Sequence, residues 1–385
     1  MRTFSIKTFG CKVNQYESDQ LRERLLAQGL KEVDWKFNSD MVIVNTCTVT
    51  GRSDYKVRNS LREIKRRLPD AKVVAIGCGT RNESSGINRI KGIDTTLPDL
   101  PEADQIKIRG IKRTRAFLKI QDGCDNFCSY CIVPYVRGRS QSRSVTEVIK
   151  EFEGLIKDGF KEVVLCGVCL GSFPDLTGFL RKLVKLPGEY RIRLSSIEPW
   201  YVTDELLDFM AKEEKICPHL HLPLQSGDEE ILQAMRRKIT LSEYKELVDK
   251  ARQRIPGIAI TTDIIVGFPG ETDENFENTL RTVKHIGFSG THIFPYSERS
   301  GTVAEKIKNK VTSSIMESRK NRLTEICAKQ AQQYRDNFNN KKVEVLVEAK
   351  RDTQSGFLIG YSPNYLRVSF KGEDSLKGEF VQVPC

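Results

Sequence analysis

Three cysteines stand within eight residues of one another in Gly123-Cys124-Asp125-Asn126-Phe127-Cys128-Ser129-Tyr130-Cys131, a C-x3-C-x2-C arrangement. Three thiolates on one tight loop suit three irons of a [4Fe-4S] cluster, which takes four cysteines when fully ligated. The fourth iron then stays open and can chelate the amino and carboxylate groups of a small molecule. A zinc site would want a nearby fourth Cys or His, and the nearest histidine along the chain is His219. The chain has 11 cysteines in all. In a reducing compartment clustered thiols point to metal, catalysis or redox work, and the odd count argues against a complete disulfide framework. Cys11, Cys47 and Cys78 each follow a predicted strand, separated by 36 and 31 residues. Those gaps match no local ligand pattern, yet parallel strand ends converge on the edge where open α/β sheets bind ligands. Pattern alone leaves them as a second metal site or as three buried thiols.

Strands and helices must hold these loops. In the first hundred residues, strands at Arg2–Thr8, Met41–Asn45 and Lys72–Ile76 alternate with helices at Glu17–Gln28 and Asp54–Leu68, which predicts a parallel α/β sheet. A second array follows, with strands near Phe117–Ile120, Glu162–Leu165, Arg191–Ser195, His219–Leu222, Ala259–Val266 and Thr291–Phe294. Amphipathic stretches such as Val145–Lys157, Thr203–Glu213, Ser242–Arg254 and Thr272–Ile286 lie between them. Six β/α repeats predict a partial (β/α)6 barrel with its working residues just after the strands. The short strands Val343–Ala349, Gly356–Ile359, Tyr365–Phe370 and Glu379–Val383 predict a small all-β barrel, reached through a helical Ser313–Gln333. The fold class is therefore α/β in three segments: an open parallel sheet over 1–110, a partial barrel over 111–334 and a small β-domain over 335–385.

Charge is uneven along the 385 residues. The net formal charge is +11, and residues 1–120 hold 24 Lys and Arg against 14 Asp and Glu. Two runs concentrate the excess: Lys56, Arg58, Arg62, Lys65, Arg66 and Arg67, then Lys107, Arg109, Lys112, Arg113, Arg115 and Lys119. Such runs bind polyanions by releasing counterions, or form solvated helix faces and linkers. No stretch approaches the ~18 consecutive apolar residues of a membrane span, and the N-terminus reads as a strand, not a signal peptide. A soluble, cytoplasmic protein with no membrane partner is expected.

The cysteine loop at the first strand of a partial barrel resembles the radical S-adenosylmethionine (SAM) superfamily. The longer string from Ile120-Gln121-Asp122-Gly123-Cys124 to Arg137-Gly138-Arg139-Ser140 is similar to its methylthiotransferase family. So are Thr8-Phe9-Gly10-Cys11-Lys12-Val13-Asn14-Gln15-Tyr16-Glu17-Ser18, Asn45-Thr46-Cys47-Thr48-Val49-Thr50 and Gly77-Cys78. Ser195-Ser196-Ile197-Glu198-Pro199, His219 to Gly227 and Asp263 to Thr272 resemble the family's barrel, and Gly360 to Val368 its TRAM domain. The resemblance spans the whole chain, in order. It departs at Cys169, where another polar group is common, at Ile239, where Tyr is usual, and in a shorter stretch between Cys78 and Cys124.

The resemblance implies two [4Fe-4S] clusters, one on Cys124, Cys128 and Cys131 and one on Cys11, Cys47 and Cys78. It also implies two SAM molecules, one split reductively to a 5′-deoxyadenosyl radical that takes hydrogen from carbon 2 of a modified adenine, the other supplying the methyl group of the methylated sulfur installed in its place. General acid–base residues could not break such an aromatic C–H bond alone, so the cofactors carry that chemistry. Tyr130, Gly167, Cys169, Glu198, Gln225, Arg237 and Asp263 are the candidate cofactor contacts. Glu198 and Asp263 read equally as caps or structural ion pairs, Arg237 as a surface charge, and Gly267 and Gly270 as a tight turn. Gln225-Ser226-Gly227 is expected to open a helix whose N–H groups could meet an anion. His219 and His221 are expected to face opposite sides of their strand.

The motif Gly10-Cys11-Lys12-Val13-Asn14-Gln15, with Phe294-Pro295-Tyr296-Ser297, looks most like the branch acting on N6-threonylcarbamoyladenosine at tRNA position 37. Partners would be tRNA, an electron donor such as a flavodoxin or ferredoxin, and a sulfur source, with the chain acting as a monomer. The alternatives are isopentenyladenosine-37, a ribosomal protein, a radical SAM RNA methylase with one cluster, and a noncatalytic RNA-binding module.

Overall fold

Four parallel strands build the N-terminal sheet: β1 (Thr3–Thr8), β2 (Lys31–Glu32), β3 (Met41–Thr46) and β4 (Lys72–Gly77), in the order β2-β1-β3-β4. The computed structural model describes residues 2–94 and 113–385. All six residues of β3 are buried, as a central strand covered on both faces requires. Helix α1 (Lys12–Ala27) lays Leu21 and Leu25 against Phe4, Ile43 and Val74. Helix α2 (Gly51–Arg67) packs Val57, Leu61 and Ile64 against Val42, Val44, Val73 and Ala75 on the opposite face. Both helices start earlier than the sequence predicts. Cys11 stands at the N-cap of α1 without a side-chain capping bond, so the usual Ser, Thr or Asp signal is missing there. At α2 the Thr50 hydroxyl accepts the Ser53 N–H at 3.1 Å.

The barrel strands β5 (Ala116–Asp122), β7 (Glu162–Gly167) and β8 (Arg191–Leu194) pair in parallel, and β6 (Gln141–Ser142) adds an edge to β5. Strands β9 (His219–His221), β10 (Ala259–Val266) and β11 (Gly290–Pro295) form a second parallel set. A bridge between Ser196 and His221 joins the two sets, giving the six-stranded partial barrel. Its covering helices are α4 (Val145–Lys157), α5 (Leu176–Leu183), α6 (Asp204–Lys212), α7 (Glu229–Ala234), α8 (Leu241–Arg254), α9 (Asp273–Ile286) and α10 (Ser313–Asp336). The short α3 (Val133–Arg137) follows the cysteine loop. Along β10 the burial alternates: Ile260, Thr262, Ile264 and Val266 are buried while Thr261, Asp263 and Ile265 are less so. The second group faces the inner side of the barrel.

The C-terminal strands β12 (Lys342–Val347), β13 (Leu358–Tyr361), β14 (Arg367–Phe370) and β15 (Phe380–Pro384) form an antiparallel sheet in the order β14-β13-β12-β15. Its core is Val345, Val347, Leu358, Val368 and Val383.

The compact units do not follow the three segments predicted from sequence. One unit joins the N-terminal sheet with Asp122–Gln141 and Ser297–Glu305; the other joins the rest of the barrel with the C-terminal strands. The predicted boundary at 110/111 lies outside the described residues, as do Lys107, Arg109 and Lys112 of the second basic run.

A buried ion cluster explains why barrel and C-terminal strands form one unit. Glu162 accepts Arg191 Nε and Arg193 Nε, both at 2.7 Å. The same guanidinium groups donate to the carbonyls of Tyr361 at 2.6 Å and Pro363 at 2.7 Å. Arg115, from the second basic run, pairs with Glu348 at 2.7 Å and lies over Tyr361. It holds the fold together.

Candidate active site

The N-terminal unit carries both cysteine trios. Cys11 follows β1 and caps α1, Cys47 directly follows β3, and Cys78 directly follows β4. Gly10 has φ +105°, and a Cβ there would lie 2.9 Å from Cys47 Cβ, so only glycine lets the first loop approach the second so closely. Burial pushes the Cys47 thiol up, and the Cys11 thiol adds to it. Burial also pushes the Cys78 thiol up to about 11, although Arg137 pulls the other way. A cation bound there would offset that cost, since metal binding displaces the thiol protons. As a donor set, three sulfurs from three loops match a [4Fe-4S] cluster with one open iron.

The second trio sits on a loop shaped by its backbone. Gly123 adopts φ +69° and Phe127 φ +47°. The Cys124 N–H donates to the Gly138 carbonyl at 3.1 Å, and the Cys131 N–H to the Cys128 carbonyl at 3.0 Å. The Asn126 N–H points at Cys124 Sγ at 3.5 Å, the kind of donor that surrounds cluster sulfurs. Tyr130 sits half-buried in this loop. These three thiols fit a second [4Fe-4S] cluster with one open iron.

Within this unit the two trios adjoin. Ile132 and Val136, just beyond Cys131, pack with Cys78 in one apolar cluster. Arg137 ties the same region together and was given no role from sequence. Its Nε donates to Cys78 Sγ at 3.0 Å. Its Nη1 reaches Glu17 and Asp122, each at 2.9 Å, and its Nη2 reaches Asn14 at 2.7 Å. The side chain is 6% exposed. The available sequence signal is its place six residues after the last cluster cysteine, at the end of the five-residue α3.

The remaining candidates lie in the barrel unit. Glu198 and Arg237 bind each other: Arg237 Nη1 lies 3.2 Å from Glu198 Oε1, and the guanidinium stacks over Trp200 at 4.7 Å. Arg237 also donates to the Pro223 carbonyl at 2.6 Å. It is thus buried, not a surface charge, and the carboxylate it meets here is Glu198. The Cys169 N–H, after β7, donates to Gln121 Oε1 at 2.7 Å, and Cys169 is buried. A Cβ at Gly167 would meet that same Gln121 oxygen at 2.9 Å. Gln225 adopts φ +75° while its N–H and carbonyl bridge to β10, a left-handed strain that a non-glycine residue keeps only where the surroundings enforce it.

Two expectations are corrected here. The turn at Gln225-Ser226-Gly227 does not offer free N–H groups to an anion: Gly227 N–H goes to Thr279 Oγ1 at 3.1 Å, and Asp228 caps α7 through Ile231 N–H at 3.0 Å. His219 and His221 do not face opposite sides. Residues two apart on a strand share a face, and both rings reach Thr261 Oγ1, at 3.0 and 2.9 Å. Gly267 and Gly270 form a tight turn whose first N–H is taken by Glu271 at 2.7 Å.

A partial parallel barrel whose first strand, β5, runs into a three-cysteine loop places the chain in the radical SAM class. The description "Radical SAM superfamily" matches residues 118–283, and "Uncharacterized protein family UPF0004" matches residues 3–97. The threonylcarbamoyladenosine tRNA methylthiotransferase MtaB of Bacillus subtilis is 35% identical over 421 aligned positions, covering 100% of this chain and 93% of that protein. The protein of the same name from Thermotoga maritima is 36% identical, covering 100% and 94%. A tRNA-2-methylthio-N(6)-dimethylallyladenosine synthase of Acetivibrio thermocellus is 35% identical, covering 99% and 88%. The chain belongs to the radical SAM methylthiotransferase family, and it is an enzyme of that kind. Among solved structures, the radical SAM methyltransferase TsrM of Kitasatospora setae shares the fold, with a TM-score of 0.56 at 18% identity over 77% of this chain and 75% of that one. Among the described residues no helix is long and apolar enough to cross a membrane.

Proposed function

We propose that this chain is a tRNA methylthiotransferase that installs a methylthio group on carbon 2 of N6-threonylcarbamoyladenosine at position 37. The observation that carries the reading is the gathering of two cysteine trios in one unit, around Cys78, Ile132 and Val136. One cluster suffices to split SAM, and a second trio of ligands is what sulfur insertion needs. The names of the Bacillus and Thermotoga relatives support the threonylcarbamoyl substrate.

Cys124, Cys128 and Cys131 would hold the cluster that binds SAM, and Cys11, Cys47 and Cys78 the cluster that handles sulfur. When bound, these groups supply reductive radical chemistry at an aromatic C–H bond and the sulfur atom that replaces hydrogen. The chain's own residues orient and enclose. Arg137 fixes Cys78 and the Asp122 end of the loop, where Tyr130 is a candidate SAM contact; within the barrel unit the candidates are Gly167, Cys169, Glu198, Gln225 and Arg237. Asp263 supplies a carboxylate on the inner barrel face. The exposed cations of α2, among them Lys56, Arg62 and Arg66, suit a tRNA backbone. The enzyme would work in the cytoplasm as a monomer with a flavodoxin or ferredoxin and a sulfur donor, in three functional segments over 1–110, 111–334 and 335–385.

The test is nucleoside mass spectrometry of tRNA from cells lacking the gene, with and without its restoration. The methylthio form of threonylcarbamoyladenosine is expected only on restoration. Methylthio-isopentenyladenosine would keep the chemistry and change the substrate. No change in either would point to a ribosomal protein, and roughly four irons per chain instead of eight would point to an RNA methylase.

A further inference from the structure

We propose that the inner face of the barrel carries a divalent transition-metal site formed by His221, Asp263 and His292, distinct from both cysteine trios. Their ligand atoms all lie within 4.8 Å of one another, and His221 Nε2 is 3.3 Å from Asp263 Oδ1. Two donors on a four-coordinate zinc-sized ion at ~2.0–2.1 Å stand about 3.3–3.4 Å apart. The pair already has that spacing.

The strands explain why the three meet. Asp263 and His292 are directly paired across β10 and β11, so their side chains share a face. His221 is paired with Thr261, two residues before Asp263 on that same face. Each ligand sits on its own strand of a rigid parallel set, which holds a coordination geometry better than a loop does. The second shell is present as well. Thr261 Oγ1 lies 2.9 Å from His221 Nδ1 and 3.0 Å from His219 Nε2. A hydroxyl that donates to His219 and accepts the Nδ1–H of His221 leaves the His221 Nε2 lone pair facing the Asp263 carboxylate. In that tautomer two acceptors face each other and a cation between them satisfies both, with the Thr261 hydroxyl fixing the ring from its far nitrogen as second-shell groups do. The His292 ring stacks on Phe294 and is edge-on to His221, which limits its rotation.

Two imidazoles and one carboxylate select a borderline ion of the zinc, iron(II) or manganese kind over magnesium or calcium, which prefer all-oxygen sites. Three protein ligands leave a position open. Asp263 and His221 are 26% and 15% exposed and His292 is exposed, so that position faces the barrel interior and suits an oxygen donor such as a carboxylate or hydroxyl. In this assignment Asp263 meets the substrate through the cation, not directly.

The probe is zinc chloride added to anaerobic, iron-loaded full-length protein, followed by desalting, elemental analysis and X-ray absorption at the zinc edge. About one zinc per chain is expected, with a nitrogen and oxygen shell at ~2.0–2.1 Å and no sulfur at ~2.3 Å. His221→Ala, Asp263→Asn and His292→Ala should each lose that zinc with iron content unchanged. Thr261→Val should weaken zinc binding about 10–100-fold. A sulfur shell would assign the zinc to the cysteines, and zinc that is not retained, or is retained equally by all three ligand variants, would overturn the site. None of these readouts depends on tRNA or on turnover, so the metal site and the proposed function fail separately.

Discussion

Two of the molecule's ionic centres built on arginine carry surplus charges of opposite sign. Around Arg137 one guanidinium faces two carboxylates, Glu17 and Asp122, and the sulfur of Cys78. Around Glu162 one carboxylate faces two guanidiniums, Arg191 and Arg193. Burial alone would raise the Glu162 carboxyl; the two arginines outweigh it and hold it down to about 2. Spare N–H groups there go to the backbone carbonyls of Tyr361 and Pro363, while Arg191 Nη1 has only Glu344 at 4.0 Å. At Arg137 the surplus is negative, a thiol joins it, and the Glu17 and Asp122 carboxylates are 27% and 32% exposed. The Glu162 centre ties barrel strands to the C-terminal sheet; the Arg137 centre is built around a cysteine of the first trio.

The sharpest way to break this contrast is at the sulfur. Cys78→Ala should remove roughly four of eight irons per chain and all detectable methylthio product, while Cys124→Ala should remove the other four and abolish SAM cleavage. Iron analysis and product mass spectrometry measure both. Loss of all eight irons from either single variant would mean that the trios do not load independently.

Glu162→Gln attacks the other centre and should act on stability alone. Leaving two buried guanidiniums without their carboxylate costs about 3–5 kcal/mol, read as a lowered urea midpoint with iron content unchanged. The same centre sets a pH dependence. Because the folded carboxyl is depressed from 4.5 to about 2, its contribution, on the order of 3 kcal/mol, is fully present above pH 4.5. It is lost as pH falls towards 2, and Glu162→Gln should flatten stability across that window.

Arg137 separates charge from hydrogen bonding. Arg137→Gln removes the cation and leaves Glu17 and Asp122 facing a more negative centre, so the reduction potential of the cluster on Cys78 should fall. Arg137→Lys keeps the charge but loses the fork to Glu17, Asp122 and Asn14 and should lie between wild type and Gln. Redox titration followed by electron paramagnetic resonance, in a Cys124→Ala background, reads that cluster alone. An unshifted potential in Arg137→Gln would leave Arg137 with packing only.

Local signals made the cysteines and most elements legible. Spacing marked Cys124, Cys128 and Cys131; the unbroken apolar run of β3, covered on both faces, and the apolar stretches of β4 and β10 placed those strands within a residue or so. Other features depend on distant pairing. Arg137 sits 59 residues from Cys78, and Glu162 binds C-terminal carbonyls through arginines 29 and 31 residues away; no local pattern encodes either. Glu198 and Arg237 each read as a candidate cofactor contact, and only their mutual pairing shows that each is already the other's ligand. The start of α1 was missed because a cysteine occupies its N-cap.

The smallest expected effect concerns Cys169, the position that departs from the family pattern. Its backbone N–H, not its sulfur, makes the 2.7 Å bond to Gln121, and replacing the side chain leaves that bond in place. Cys169→Ala should therefore keep iron content and stability near wild type. If the thiol touches SAM or the substrate, losing one weak contact of ~1 kcal/mol lowers turnover about fivefold. Cys169→Ser, which restores a polar group of similar size, should then recover most of it. Unchanged turnover in the alanine variant would assign this segment's contribution to its backbone, held by Gln121 and by the close approach at Gly167.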